Sequence, residues 1–406
     1  MAYIPPHKRH SIEGSSSAPP PTPESLSPHF KRSLYFNSFS DKKNKDGGKG
    51  GESQKISYAQ NAVSKWFPVG LSSDSQLLSM TRLEPISVES FERKSGGTKP
   101  LSLVLNHHQI KECSNERSVF MENQWEFVAE NVKQDLLSAF RGVENEMKDN
   151  CFVEVKPILV ARFGRILFHG GQSTLLESTL KHSKRTFYTN VSASYTEYIV
   201  NEVGPKLGDH IAEEKEVYLV RLSDNRDPDS TISCKCTLVK ERKKLELYKI
   251  EWNQVRHLVA DVSCLDKNLD LRLMLFTKRI VKALTADEIK NIKCLIASAI
   301  LDPDVKGGLR WPLGTDSSGD RYAVVGVWHA SVKSFRNPSI RLKVRNADRF
   351  DFLSSYGEVS REVVLKMPGI VSHLQEHKMQ DDLFTEMLRS NLKLIWDNFL
   401  CFASIT

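Results

Sequence analysis

Apolar residues between Gln124 and Met147 recur at three- and four-residue steps (Phe127, Val128, Val132, Leu136, Phe140, Val143), the period of one buried helical face. A second stripe of Leu383, Phe384, Leu388, Leu392, Ile395 and Trp396 predicts a helix over about 381–399 that buries all six. A third helix is expected over 286–301. There Thr285 is the N-cap, Glu288 its capping-box partner, and Asp302-Pro303 the stop. Between these stretches the period changes to two. Residues 101–105 alternate like a short strand, and 151–168 reads as two strands joined near Gly164. Segments 216–222, 231–239, 244–252, 256–262 and 269–276 follow one another with polar or turn-forming links, and 321–332 and 340–344 continue the series. Serial strands with short links predict an antiparallel, meander-like sheet. The expected fold class is therefore α+β, a mainly antiparallel sheet with about three or four helices, preceded by a disordered tail.

Composition divides the chain. Residues 1–55 are rich in Pro, Ser, Gly and Lys and have little to bury, which predicts a disordered basic tail. Residues 56–100 form a linker or docking segment, and 101–406 a single α+β domain. Net charge is +7 over 406 residues. Nine basic and five acidic residues precede Ile56, so the tail holds most of the excess and the domain is nearly neutral. No overall field marks the domain as a nucleic-acid binder. Seven cysteines, an odd number, fit reduced thiols in cytoplasm or nucleus. Pro5-Pro6 stands where the apolar core of a secretory leader would lie, and no apolar run is long enough to span a bilayer.

Tyr3-Ile4-Pro5-Pro6-His7-Lys8-Arg9 is the most specific string. It resembles the Tyr-x-Pro-Pro-His-x-Arg segment in the tails of Ded1-type DEAD-box RNA helicases, which implies a short linear motif that docks a protein partner. None of the helicase core motifs follows it, so no ATPase activity is implied. The whole chain, opening Met-Ala-Tyr-Ile-Pro-Pro-His-Lys-Arg-His, also resembles an uncharacterised plant protein family with a C-terminal domain of unknown function. That likeness implies no activity. Phe30, Lys31, Arg32, Tyr35, Phe36 and Phe39 interleave aromatics with cations, the pattern that holds single-stranded RNA by stacking and phosphate contact. Its bland alternative is a second docking peptide or a strand added to the domain's sheet.

Other motifs weigh less. His373-Leu-Gln-Glu-His377 matches a zincin pattern but lacks a third ligand at family spacing, and reads as an exposed helix face. Phe152-Val-Glu-Val-Lys156 resembles the E-x-E-x-K strand of triphosphate-tunnel enzymes, where inward carboxylates hold metal and the Lys holds phosphate. Phe152 replaces the first Glu, and Glu246 and Lys249 do not restore the spacing. Charge on the open face of a sheet is the simpler account. Cys234-Lys-Cys236 points both thiols to one face without a second Cys pair. Lys240–Lys244 reads as a solvated hairpin tip, with phosphate contact as the lesser alternative.

No cofactor or metal is expected. The leading functional expectation is a non-catalytic adaptor or scaffold, associated with RNA or translation through its tail. The rival is an enzyme acting on a phosphorylated small molecule or RNA end inside a curled sheet. A closed interior lined with Lys, Arg and Glu would favour the rival, and a filled apolar interior the scaffold.

Overall fold

The structure, a computed structural model, describes residues 56–71, 77–106, 122–149, 153–169, 180, 183–207, 211–239, 244–281, 284–312, 314, 316–318, 321–376 and 381–400. The strands are β1 (Ser57–Val69), β2 (Thr81–Pro85), β3 (Leu101–Leu105), β4 (Val153–Phe168), β5 (Arg185–Tyr188), β6 (Ile211–Asp224), β7 (Asp227–Val239) and β8 (Lys244–Trp252). They continue with β9 (Val255–Cys264), β10 (Asp270–Val281), the two-residue β11 (Ile300–Leu301), β12 (Leu309–Arg310) and β13 (Ser317–Ser318), then β14 (Tyr322–Arg336), β15 (Arg341–Asp351) and β16 (Tyr356–Lys366). The helices are α1 (Leu77–Met80), α2 (Glu89–Lys94), α3 (Gln124–Asp149), α4 (Ala193–Tyr198), α5 (Gly204–Leu207), α6 (Ala286–Ala297), α7 (Pro368–Glu376) and α8 (Asp381–Asn398); a π-helical turn over Ile199–Val203 joins α4 to α5. Among the described residues no helix is long and apolar enough to cross a membrane.

These elements correct the expected fold class. The sequence pattern predicts an α+β chain with three or four helices; the protein is dominated by one sheet of fourteen strands and carries more helices than that. The additional helices are too short to show a helical period, so pattern alone could not find them. The sheet is also not an open meander. Strand β4 pairs with β16 on one edge and with β10 along Asp270–Val281 on the other. The path β10-β8-β7-β6-β14-β15-β16-β4 therefore returns to β10 as an eight-stranded ring. Closure removes the unpaired edges that an open sheet would expose. Strands β8 and β9 run on from one another against β10, β8 pairing with β7 and β9 with the parallel β1. Thus β1, in the segment expected as a linker or docking segment, is part of the sheet.

The outside of the ring is apolar and covered by helices. Leu159, Ala161 and Phe163 of β4, Leu271, Leu273 and Leu275 of β10, and Val363 and Leu365 of β16 share a core with Val132, Leu136 and Phe140 of α3 and Phe384, Leu388 and Leu392 of α8. Tyr218, Val220, Cys234 and Cys236 pack under Ile292, Leu295 and Ile296 of α6. The Thr285–Glu288 capping box starts α6. Glu146 fixes α3 to the barrel through His257 Nε2 (3.0 Å), Thr277 Oγ1 (3.0 Å) and Arg279 Nε (2.6 Å).

Three local expectations change. The 153–168 segment is one strand, and it runs straight through Gly164, where the Tyr188 carbonyl occupies the space that a side chain would need. Leu383 is 50% exposed; the buried stripe of α8 starts at Phe384. His373 is buried at 8% exposure, not on an open helix face, because α7 turns that side toward the core. His377 lies outside the described residues.

Candidate functional site

Directly opposed residues of antiparallel strands share a face, so the register carries one face around the ring. With the helices outside, the other face is the interior. Across β4 and β10 it holds Lys156 opposite Lys278, Ile158 opposite Phe276, Val160 opposite Met274, and Arg162 opposite Arg272. It continues through Ile280–Glu251 and Lys249–Lys235 to Lys235–Leu219 and Leu219–Trp328. Trp328 then faces Arg349, Arg345 faces Glu362, Lys343 faces Val364, and Lys366 faces Val160 back on β4. Along this face cations outnumber carboxylates.

Two charged groups stand out. In the first, Glu251 is 4% exposed and is held by three lysines. Its Oε1 accepts from Lys235 Nζ (2.7 Å) and lies 3.0 Å from Lys249 Nζ; its Oε2 lies 3.3 Å from Lys278 Nζ. Burial alone would raise the Glu251 carboxyl, but the charges of Lys278 and Lys235 and hydrogen bonds from Lys235 and Lys249 hold it at about 2. Lys343 and Lys366 join this group with no ion-pair partner among the described residues. Burial, then the charges of Lys278 and Lys343, pushes Lys366 down to about 6. Burial with Arg345 and Arg341 nearby brings Lys343 to about 8. Burial and Lys235 bring Lys278 to about 7 against the pull of Glu251.

In the second group Glu362, 1% exposed, pairs with Arg349 and lies 3.8 Å from Arg345 Nη1. Burial, then neighbouring arginines, lowers Arg162 to about 10, so it stays charged at neutral pH. The Arg349 guanidinium stacks 4.2 Å from the Trp328 ring centre, with Arg345 at 5.9 Å. Arg162 Nε, Arg349 Nε and Trp328 Nε1 are buried donors without a hydrogen-bond partner among the described residues. Interior apolar surface lies beside these charges: Ile158, Val160, Val259, Met274, Phe276 and Val364 on one wall, Val217, Ala330, Val332 and Ala347 on another.

Burying a cation costs several kcal/mol unless an anion accompanies it. A barrel built to be inert would fill its interior with apolar side chains, as small barrels do. An interior with surplus buried basic side chains and spare donors is arranged for an anion, whose charge draws the amines back to the ammonium form, and repeated lysines at several heights suit one with charge spread along its length.

The alternating charge of Glu154, Lys156 and Arg162 therefore stands on the inside of a closed ring and not on an open face. Sequence reasoning passed over Lys235, Lys278, Lys343, Lys366 and Arg349. The one available signal was Lys235 itself, between two cysteines that sit buried under α6, with burial pushing the Cys236 thiol up to about 12. The tail candidates Tyr3, Ile4, Pro5, Pro6, His7, Lys8 and Arg9, and Phe30, Lys31, Arg32, Tyr35, Phe36 and Phe39, lie outside the described residues, as do Phe152 and 240–243. A separate groove of about 390 Å³ on the outer side of α6, lined by Ala286, Ile289, Lys290, Lys293, Cys294 and Ala297, has no convergent buried charges.

The metal expected of an E-x-E-x-K strand does not fit these residues. Among the described residues no three His, Cys, Asp or Glu side chains come together. Glu154 pairs with Lys156 at 2.6 Å, and Glu251 and Glu362 are taken by lysines and arginines.

A family model described as "Domain of unknown function (DUF7903)" matches residues 51–399. No curated protein matches by sequence. Among solved structures, the S. pombe Pct1 RNA triphosphatase is 11% identical, with a TM-score of 0.39 over 65% of this chain and 90% of that one. The same enzyme in complex with the Spt5 CTD gives 0.40 over 65% and 92%. A putative adenylate cyclase from Bacillus halodurans is 9% identical, with a TM-score of 0.24 over 53% and 90%.

Proposed function

We propose that this chain, which belongs to that family of unknown function, takes a small molecule bearing a chain of phosphates into the barrel and acts on it there. The observation that carries the reading is the pair Lys343 and Lys366, inward-facing and without a counter-ion among the described residues, beside Lys235 and Lys278. Each lysine–phosphate contact is charge-assisted and worth roughly 1.5–3 kcal/mol. A chain of three phosphates can meet several at once. Arg162 and Arg349 offer fork-shaped donors farther along.

The test is calorimetric binding of inorganic tripolyphosphate to the full chain and to Lys343→Met/Lys366→Met. Removing two contacts should weaken binding by roughly a hundredfold or more. The variant should stay folded, since Met keeps a similar volume and removes amines whose charged form burial already disfavours. Equal binding by both proteins, or none by either, would overturn the reading. Turnover is read in the same samples as released orthophosphate.

The tail is a separate proposal. Tyr3–Arg9 docks a protein partner, and Phe30, Lys31, Arg32, Tyr35, Phe36 and Phe39 give weak, salt-dependent contact with RNA.

A further inference from the structure

Glu251 sits where an anionic ligand would be expected. Its carboxylate is buried, touches three lysines from β7, β8 and β10, and takes no contact that would aim it at a metal. Glu362 repeats the arrangement on β16, held between Arg345 and Arg349. In each case cations surround the acid, whereas a metal ligand needs other acids or neutral donors beside it.

We propose that Glu251 and Glu362 are internal counter-anions that occupy the barrel's cations until a phosphate chain displaces them, so that the ligand is bound without a divalent metal. The inference rests on the reading of the barrel as a phosphate-chain site. Its physical content is competition. The three lysines around Glu251 cannot give their full charge to a phosphate while the carboxylate holds them, so part of each contact is spent on exchanging one anion for another. Removing the charge of Glu251 while keeping its shape frees those lysines. A metal ligand would behave in the opposite way, because a glutamine there binds a divalent ion poorly.

The experiment titrates inorganic tripolyphosphate into the full chain in EDTA and, separately, in excess Mg²⁺, with the wild type, Glu251→Gln and Glu362→Gln. Thermal melts of the same samples show which variants are folded. The expected result is binding in EDTA at least as tight as in Mg²⁺, because Mg²⁺ neutralises the phosphates the lysines would meet. Glu251→Gln should then bind roughly tenfold tighter than wild type, and its melt should rise more with ligand. Glu362→Gln should also tighten binding. If wild-type binding needs Mg²⁺, or if the folded glutamine variants bind more weakly, the counter-anion role is wrong while the site stands. If wild type binds in neither condition, the phosphate-chain reading fails and this inference with it. The metal comparison on wild type needs no variant, so a Glu251→Gln chain that fails to fold does not remove the test.

Discussion

Binding of a phosphate chain should draw protons into the protein, and the number follows from three lysines. With Lys366 pushed to about 6, Lys278 to about 7 and Lys343 to about 8 by burial and neighbouring cations, the first two amines are mostly neutral at pH 8 and the third partly so. A phosphate beside each favours the ammonium and returns it toward the ordinary lysine range. Uptake should therefore approach about two protons per ligand at pH 8 and fall below about one at pH 6. By linkage, affinity should drop by up to about a hundredfold for each pH unit near pH 8. The assay is titration of tripolyphosphate in buffers of different ionisation enthalpy at one pH and ionic strength; the slope of apparent heat against buffer heat counts the protons. Lys366→Met should remove about one proton from the count. Binding that shows no buffer dependence at pH 8, or constant affinity from pH 7 to 9, would refute the reasoning.

The same lysines set the pH dependence of stability without ligand. The unfolded chain keeps them protonated to about pH 10 while the fold does not, so stability should rise from pH 6 to 9, by at most about 1.4 kcal/mol per unit for each neutral amine. Urea unfolding at constant ionic strength reads this, and a fall across that window would contradict it. Glu146 and Glu251, both held at about 2, act at the other end: their contribution is present above about pH 4.5 and is lost as pH falls toward 2. Gly164→Ala drives a methyl into the Tyr188 carbonyl and should destabilise by about 2–4 kcal/mol or displace β5, whereas a change under about 0.5 kcal/mol would show the contact to be soft. Deleting residues 1–55 should abolish RNA crosslinking in cells and leave tripolyphosphate binding unchanged; crosslinking by the shortened chain would move the RNA contact elsewhere.

The long periodic elements could be read from the chain. The stripe of α3 and the Thr285–Glu288 cap of α6 declare themselves, because a helix packed on one face must repeat every three or four residues. Closure could not be read. It depends on β4 and β10, over a hundred residues apart, choosing each other's free edge, and no local pattern encodes that choice. The site was hidden for the same reason. Alternation along β4 reveals that Lys156 and Arg162 share a face but not whether that face meets water or other strands. Net charge misled as well: a nearly neutral domain can gather an excess of basic side chains on its inner face, and only radial position shows it. Lys343 and Lys366 look like surface lysines until the ring closes around them.

If the barrel interior holds a phosphate chain through Lys235, Lys278, Lys343 and Lys366, the most direct measurement is a crystal structure of the full chain grown with inorganic tripolyphosphate and EDTA. Density for the phosphate chain is expected inside the ring, within hydrogen-bond distance of Lys343 and Lys366, with Glu251 drawn back from Lys235. Tripolyphosphate found only on the outer surface, with Lys235, Lys249 and Lys278 on Glu251 as before, would contradict it.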